Sequence, residues 1–120
     1  MHTHEERTAT WNEILKEFQD NVIDYSGLET YRSNNWQRQL HLFEVPFYYI
    51  EYGIAQLGAI GMWMQYKENK EQAMDNYCKA LALGGTRTLP QLFETAGLKF
   101  DFSPDKIKVL MEFVKEEMER

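Results

Sequence analysis

The feature that most constrains this chain is an apolar stretch near its middle, VPFYYIEYGIAQLGAIGMWM at residues 45–64. Only Glu51 and Gln56 are obviously polar within it. Pro46 suits the first position of a helix, because its ring fixes φ and it has no N–H to leave unpaired. A helix that is apolar nearly all round has to be enclosed on nearly all sides. We therefore predict a buried central helix over roughly residues 46–65.

The same stretch is long enough to be weighed as a membrane span, since about 20 residues cross the hydrocarbon core of a bilayer. The carboxylate of Glu51, the amide of Gln56 and the tyrosines at one end make it a poor span. The segments on both sides are amphipathic and can cover it. We therefore predict a helix buried in protein and no membrane partner.

The rest of the chain also has the apolar spacing of helices, with start and stop signals between the segments. The predicted helices are Trp11–Tyr25, Leu28–Phe43, Lys70–Leu83, Leu89–Ala96 and one that begins at Pro104 after its cap Ser103. No segment alternates apolar and polar residues as a strand does. The sequence predicts an all-α fold, about six helices packed around the central one, in a single all-helical domain over residues 1–120.

Charge and cysteine content limit the partners and the compartment. The chain has 13 Lys and Arg against 19 Asp and Glu, a net charge of −6, whereas a nucleic-acid partner favours a basic surface. Cys78 is the single cysteine, so no intrachain disulfide can form. The first residues, MHTHEER, lack the apolar core of a signal peptide. We predict a cytoplasmic protein that does not bind nucleic acid.

Candidate metal ligands are sparse. A zinc peptidase needs the helical HExxH pair, in which two histidines one turn apart hold one metal ion, and this pair is absent. His2, His4 and Glu5 offer ligand atoms at a spacing that does not suit a helix, in a terminal segment that holds geometry poorly. The sequence therefore predicts no metal ligand in this chain.

Tyrosines of the central stretch are the remaining candidates for chemistry. Helical spacing places Tyr49 and Tyr52 on one stripe, close to Gln56. Buried tyrosines are commonly core aromatics whose hydroxyls find partners. Two phenols one turn apart can instead donate hydrogen bonds to a substrate carbonyl and stabilise the oxyanion that forms on it. Spacing alone leaves both interpretations open.

The middle of the chain also resembles part of a known protein family. Residues 36–59, WQRQLHLFEVPFYYIEYGIAQLGA, resemble the C-terminal part of the oligoendopeptidase F group of thimet-type zinc metallopeptidases. The segments AMDNY at 73–77, ALALGG at 80–85 and AGL at 96–98 are similar to the closing helices of that family. The resemblance implies that the chain is the all-helical, substrate-binding portion of a catalytic domain that hydrolyses oligopeptides.

The resemblance also implies roles for individual residues. Tyr52 is the implied oxyanion donor, and Tyr49, Tyr48 and His41 are the implied substrate contacts. In the full-length enzymes the zinc ligands and the general-base glutamate lie upstream of the matched region. Zinc is therefore expected only in a full-length member, and this chain alone is expected not to cleave peptides.

Two further expectations concern partners. The spacing A-x-x-x-Y-x-x-A-L at residues 73–81 also occurs in tetratricopeptide-type modules, so a stand-alone helical interaction module is the alternative function, although no repeat of that period is present. A part of a larger domain exposes apolar surface, and exposed patches drive association. We therefore expect a homo-oligomer.

Overall fold

The computed structural model describes residues 2–18 and 22–120, and within these ranges it has seven α-helices, one 3₁₀ helix and no strand. The prediction of an all-α fold is confirmed. The helices are α1 (His4–Phe18), α2 (Glu29–Asn34), the 3₁₀ helix (Asn35–Arg38), α3 (His41–Glu44), α4 (Ile50–Glu68), α5 (Lys70–Ala82), α6 (Leu89–Thr95) and α7 (Pro104–Met118). Their contacts group the chain into two compact units, residues 1–49 and 50–120. That the whole chain is one domain stays a prediction.

In the first unit, two tryptophans hold the short helices together. The indole Nε1 of Trp11 on α1 donates a hydrogen bond to the carbonyl oxygen of Arg32 on α2 at 3.2 Å. The ring of Trp36 lies 5.8 Å from that of His4 and 5.9 Å from that of Phe43, measured between centroids. Aromatic contacts therefore link these helices, and none of the described residues in positions 2–18 and 22–49 is buried.

Two predicted helices of this unit differ from the structure. Residues 22–25 are not helical, so α1 does not extend to Tyr25, and residues 19–21 of that prediction lie outside the described part of the chain. The predicted helix Leu28–Phe43 is divided into α2, the 3₁₀ helix and α3. The first break follows Asn34, whose side-chain Nδ2 donates to the carbonyl oxygen of Thr30 at 2.8 Å. Side-chain bonds of this kind compete with the helical hydrogen-bond pattern.

In the second unit, α4 is the helix on which α5, α6 and α7 pack. Its glycines make this possible: a Cβ atom on Gly58 would lie 3.0 Å from Cζ of Phe93, and one on Gly61 would lie 3.0 Å from Cδ2 of Leu98. Close packing of α6 and the segment after it therefore depends on the missing side chains at these two positions.

Two contacts fix α7 against α4. The rings of Trp63 and Phe113 meet edge to face with centroids 4.9 Å apart. One turn further along, Nζ of Lys67 lies 2.5 Å from a carboxylate oxygen of Glu117, whose side chain is only 6% exposed. The pair joins the C-terminal ends of α4 and α7.

The central helix differs from its prediction in position and in burial. Helix α4 begins at Ile50, four residues after Pro46, because Phe47 has a φ of +66° and no helix continues through that conformation. Gly61 is the single buried residue of α4 in this chain. The prediction that the helix is enclosed on nearly all sides is wrong for the chain by itself. No helix in the described residues combines the length and apolar character needed to cross a bilayer.

Candidate functional site

The four predicted site residues fall within one short stretch of the chain, residues 41–52. His41 is the first residue of α3, Tyr48 and Tyr49 lie in the turn that follows, and Tyr52 is in the first turn of α4. Tyr49 precedes the helix, so the predicted helical stripe shared by Tyr49 and Tyr52 is wrong. The cause is the left-handed backbone of Phe47, which delays the start of α4.

The turn brings His41 and Tyr49 together. The backbone N–H of Val45 donates to the carbonyl oxygen of His41, and that of Tyr48 donates to the carbonyl oxygen of Val45, each at 3.2 Å. The chain therefore turns back on itself after α3. As a result, the imidazole of His41 and the phenol of Tyr49 lie 5.6 Å apart between centroids, with planes inclined by 48°. Both groups can donate and accept hydrogen bonds, as the N–H and C=O groups of a peptide require.

The three tyrosines of the predicted site are partly exposed. Tyr48 is 47% exposed, Tyr49 40% and Tyr52 58%. Residues with this much accessible surface are not core aromatics in this chain.

An apolar groove lies between α4 and α5 within the second unit, and we call it the α4/α5 groove. Its volume is about 620 Å³. Along α4, Ala55, Ala59 and Trp63 follow Tyr52 at intervals of three, seven and eleven residues and so lie on the same helical face. Residues 50–120 are all described, and none of the side chains that line the groove is charged.

The groove was not anticipated from the sequence. The apolar stripe Ala73, Tyr77, Ala80 and Leu81 of α5 suggests a buried face, yet Tyr77 is 45% exposed and Leu81 60%. Small residues at positions 55, 58 and 59 were the available signal, because they let another helix approach α4 closely.

An ion pair of the second unit, between Lys67 and Glu117, serves structure. The carboxylate of Glu117 accepts a hydrogen bond from the ammonium of Lys67. This hydrogen bond and the nearby guanidinium of Arg120 lower the pKa of Glu117, although desolvation acts to raise it. The carboxylate joins two helices and lies on α7, whereas Tyr52 is at the opposite, N-terminal end of α4.

The described residues do not form a metal site. Across residues 2–18 and 22–120, no three His, Cys, Asp or Glu side chains come close enough together to hold a metal ion. His41 has Tyr49 as its ring neighbour, which is not a residue of that ligand set. The donor set of the residues that the structure describes therefore does not fit zinc.

Comparison with known proteins gives one match. Residues 1–111 match the model of a protein family described as peptidase family M3. No curated protein and no solved structure matches the chain significantly. The family match covers both units and includes all four candidate site residues.

Proposed function

We propose that this chain, which belongs to peptidase family M3, forms the substrate-binding portion of a larger enzyme. That enzyme is an oligoendopeptidase F-like zinc metalloendopeptidase that hydrolyses oligopeptides. The family match over residues 1–111 is the observation that carries this proposal, since it gives the class of reaction. The contact between His41 and Tyr49 and the exposure of Tyr52 support a role in binding. A cytoplasmic location is part of the proposal, because a chain with one cysteine needs no oxidising compartment.

In this proposal Tyr52 acts on the scissile peptide group. Its phenol donates a hydrogen bond to the carbonyl oxygen of the substrate, and the bond strengthens as negative charge develops on that oxygen. Tyr49 and His41 bind neighbouring N–H and C=O groups of the peptide and so fix its position, and Tyr48 makes a further contact. Such positioning contacts act mainly on substrate affinity, whereas the oxyanion donor acts mainly on kcat.

The zinc ion belongs to another part of the peptidase. The donor set of the described residues does not fit a metal, so the proposal assigns zinc and the general base to a segment that this chain does not supply. We therefore expect the chain alone, with zinc in the buffer, to leave a fluorogenic oligopeptide uncleaved.

A chimera tests the role of Tyr52. Residues 1–111 would replace the matching segment of a full-length M3 oligoendopeptidase, and kcat and KM would be measured on a fluorogenic oligopeptide. Tyr52→Phe should lower kcat by a factor of about 10² to 10³ with little change in KM, as loss of one oxyanion donor does in other hydrolases. Tyr31→Phe is the matched control, because Tyr31 is 77% exposed and plays no part in the proposed site. An unchanged kcat in the Tyr52→Phe chimera would contradict the assignment.

A stand-alone helical interaction module remains the second candidate function, and the open α4/α5 groove favours it. Titration of the chain with an unlabelled decapeptide in a calorimeter separates the two. In a peptidase portion, His41→Ala and Tyr49→Phe weaken peptide binding and Leu81→Lys does not. In a module that binds through the groove, Leu81→Lys abolishes binding and the other two variants bind as the parent chain does.

A further inference from the structure

We propose that Gln56 of α4 binds the backbone of the peptide substrate next to the contact made by Tyr52. Its side-chain amide bonds the N–H and C=O groups of the substrate residue two positions away from the one whose carbonyl oxygen Tyr52 binds. The inference rests on the proposed function, in which Tyr52 acts on that carbonyl, and it assigns a residue that the proposed function does not use.

Gln56 differs in chemistry from the helix around it. It is the only hydroxyl, amide or charged side chain in residues 53–64, GIAQLGAIGMWM. The next amide on α4, that of Gln65, is bonded within the fold, since its Nε2 donates to the carbonyl oxygen of Gly97 at 2.7 Å. Gln56 is exposed, and no hydrogen bond to the other described residues, 2–18 and 22–120, involves its side chain. The described contacts therefore give Gln65 a structural role and give Gln56 none.

Gln56 lies one turn after Tyr52 on the same face of α4. Residues four apart in a helix differ by only about 40° in direction, and both side chains are exposed, that of Tyr52 to 58%. The neighbours of Gln56 three residues before and after it are the small residues Gly53 and Ala59. A Cβ atom on Gly53 would meet no other atom within 4 Å. Small neighbours and open space let a polypeptide backbone come close to the amide.

The spacing of the two side chains suits an extended peptide. Four residues of an α-helix rise about 6 Å along its axis. In an extended chain the N–H and C=O groups of one residue point to the same side, and this arrangement recurs every second residue, about 6.5 Å further on. A substrate that lies along α4 therefore presents one carbonyl oxygen to Tyr52 and the backbone groups of the residue two positions away to Gln56. An amide both donates and accepts hydrogen bonds, so it can bond an N–H and a C=O group without adding a charge.

Calorimetric titration of the full chain with an unlabelled decapeptide tests the assignment. Gln56→Met keeps the length of the side chain and removes its amide, so we expect the dissociation constant to rise about three- to tenfold, as loss of one hydrogen bond does. Gln72→Met is the matched control, because Gln72 is exposed on α5 and its amide already donates to Asn76 of the same helix at 2.9 Å. This control should bind the decapeptide as the parent chain does.

An ester scan of the decapeptide shows whether the contact is made to the backbone. Each peptide N–H in turn is replaced by an ester oxygen, which cannot donate a hydrogen bond. At the position that meets Gln56, the ester should weaken binding to the parent chain about three- to tenfold and have no such effect on Gln56→Met, because the bond is already absent there. Ester effects that are the same for both proteins at every position would overturn the inference.

The titrations separate this inference from the proposed function. If His41→Ala and Tyr49→Phe weaken peptide binding and Gln56→Met does not, the Gln56 assignment alone is wrong. Equal weakening by Gln56→Met and Gln72→Met would also overturn it, because the effect would not be local to Tyr52. A decapeptide that does not bind to the parent chain would contradict both the inference and the proposed function.

Discussion

Replacement of glycine by alanine at three positions of the second unit provides a sharp test of the structure. Gly53 lies in α4 with no atom within 4 Å of an added Cβ, Gly84 has a φ of +51° and equally open surroundings, and Gly97 combines a φ of +73° with close neighbours. One chemical change therefore meets three conditions: free space in a helix, a left-handed backbone alone, and a left-handed backbone with a steric contact.

Gly97 has the most demanding surroundings. It ends α6 in a Schellman motif, in which the N–H of Leu98 donates to the carbonyl oxygen of Phe93 at 2.8 Å and that of Gly97 to the carbonyl oxygen of Glu94 at 2.9 Å. Its own carbonyl oxygen accepts a hydrogen bond from Nε2 of Gln65 on α4 at 2.7 Å. An added Cβ would lie 2.7 Å from Nδ2 of Asn76, so this side chain has to move.

The magnitudes follow from these geometries. At Gly84, alanine in the left-handed region costs about 1–2 kcal/mol, partly offset by about 0.5 kcal/mol from the reduced freedom of the unfolded chain, so we expect a net loss near 1 kcal/mol. At Gly97 the displaced amide and a weakened hydrogen bond add about 1 kcal/mol, giving a loss near 2 kcal/mol. At Gly53 alanine improves helix propensity, and we expect a gain of about 0.5–1 kcal/mol.

The assay is urea denaturation followed by circular dichroism at 222 nm, with the free energy of unfolding extrapolated to water at a shared slope. From the most to the least stable, the order should be Gly53→Ala, the parent chain, Gly84→Ala and Gly97→Ala. Equal losses at positions 84 and 97 would refute the contact of α6 with α4 and α5 at Gly97. A loss at position 53 would show that this part of α4 is packed against another segment.

Two further predictions concern the Lys67–Glu117 pair and the turn before α4. Because ion pairing lowers the folded-state pKa of Glu117 below its ordinary value of about 4.5, the stabilisation is present above that value and is lost as the pH falls through the lower folded-state pKa. Glu117→Gln should therefore be less stable than the parent chain at pH 7, with a difference that shrinks in acid, whereas Glu116→Gln, which removes the same charge from α7 outside this pair, should match the parent in urea denaturation at pH 7. Phe47 is 97% exposed and has a φ of +66°, so Phe47→Asn should raise the free energy of unfolding by about 1 kcal/mol, while Phe47→Leu should leave it unchanged. Equal stability of the asparagine and leucine variants would argue against the strained turn.

Helix ends with local signals were predictable from the sequence. The side chain of Asn69 accepts a hydrogen bond from the N–H of Gln72 at 3.1 Å, and that of Ser103 accepts one from the N–H of Lys106 at 3.4 Å. The sequence analysis predicted the cap Ser103, and α5 and α7 begin at the predicted residues Lys70 and Pro104. A cap acts within one turn of chain, so its effect can be inferred from neighbouring residues alone.

Burial and the geometry of the candidate site were harder to predict from the sequence. The apolar character of α4 shows that its faces favour contact with other apolar groups, but it does not show which segment supplies that contact, and in this chain most of the helix is exposed. The contact between His41 and Tyr49 depends on the turn that Phe47 sets, and a phenylalanine gives no warning of a left-handed backbone. The residue roles came from the resemblance, and the chimera and binding experiments are the tests of them.

The joint between α4 and α5 has a consequence for recognition. Helix α4 ends at Glu68 and α5 begins at Lys70, so Asn69 is the whole connection, and its backbone N–H and carbonyl oxygen are bonded to Gln65 and Ala73. So short a link leaves little freedom in the angle between the two helices. The helix pair is therefore preorganised. A ligand or protein that binds to it does not have to order the two helices, so little conformational entropy is lost on binding.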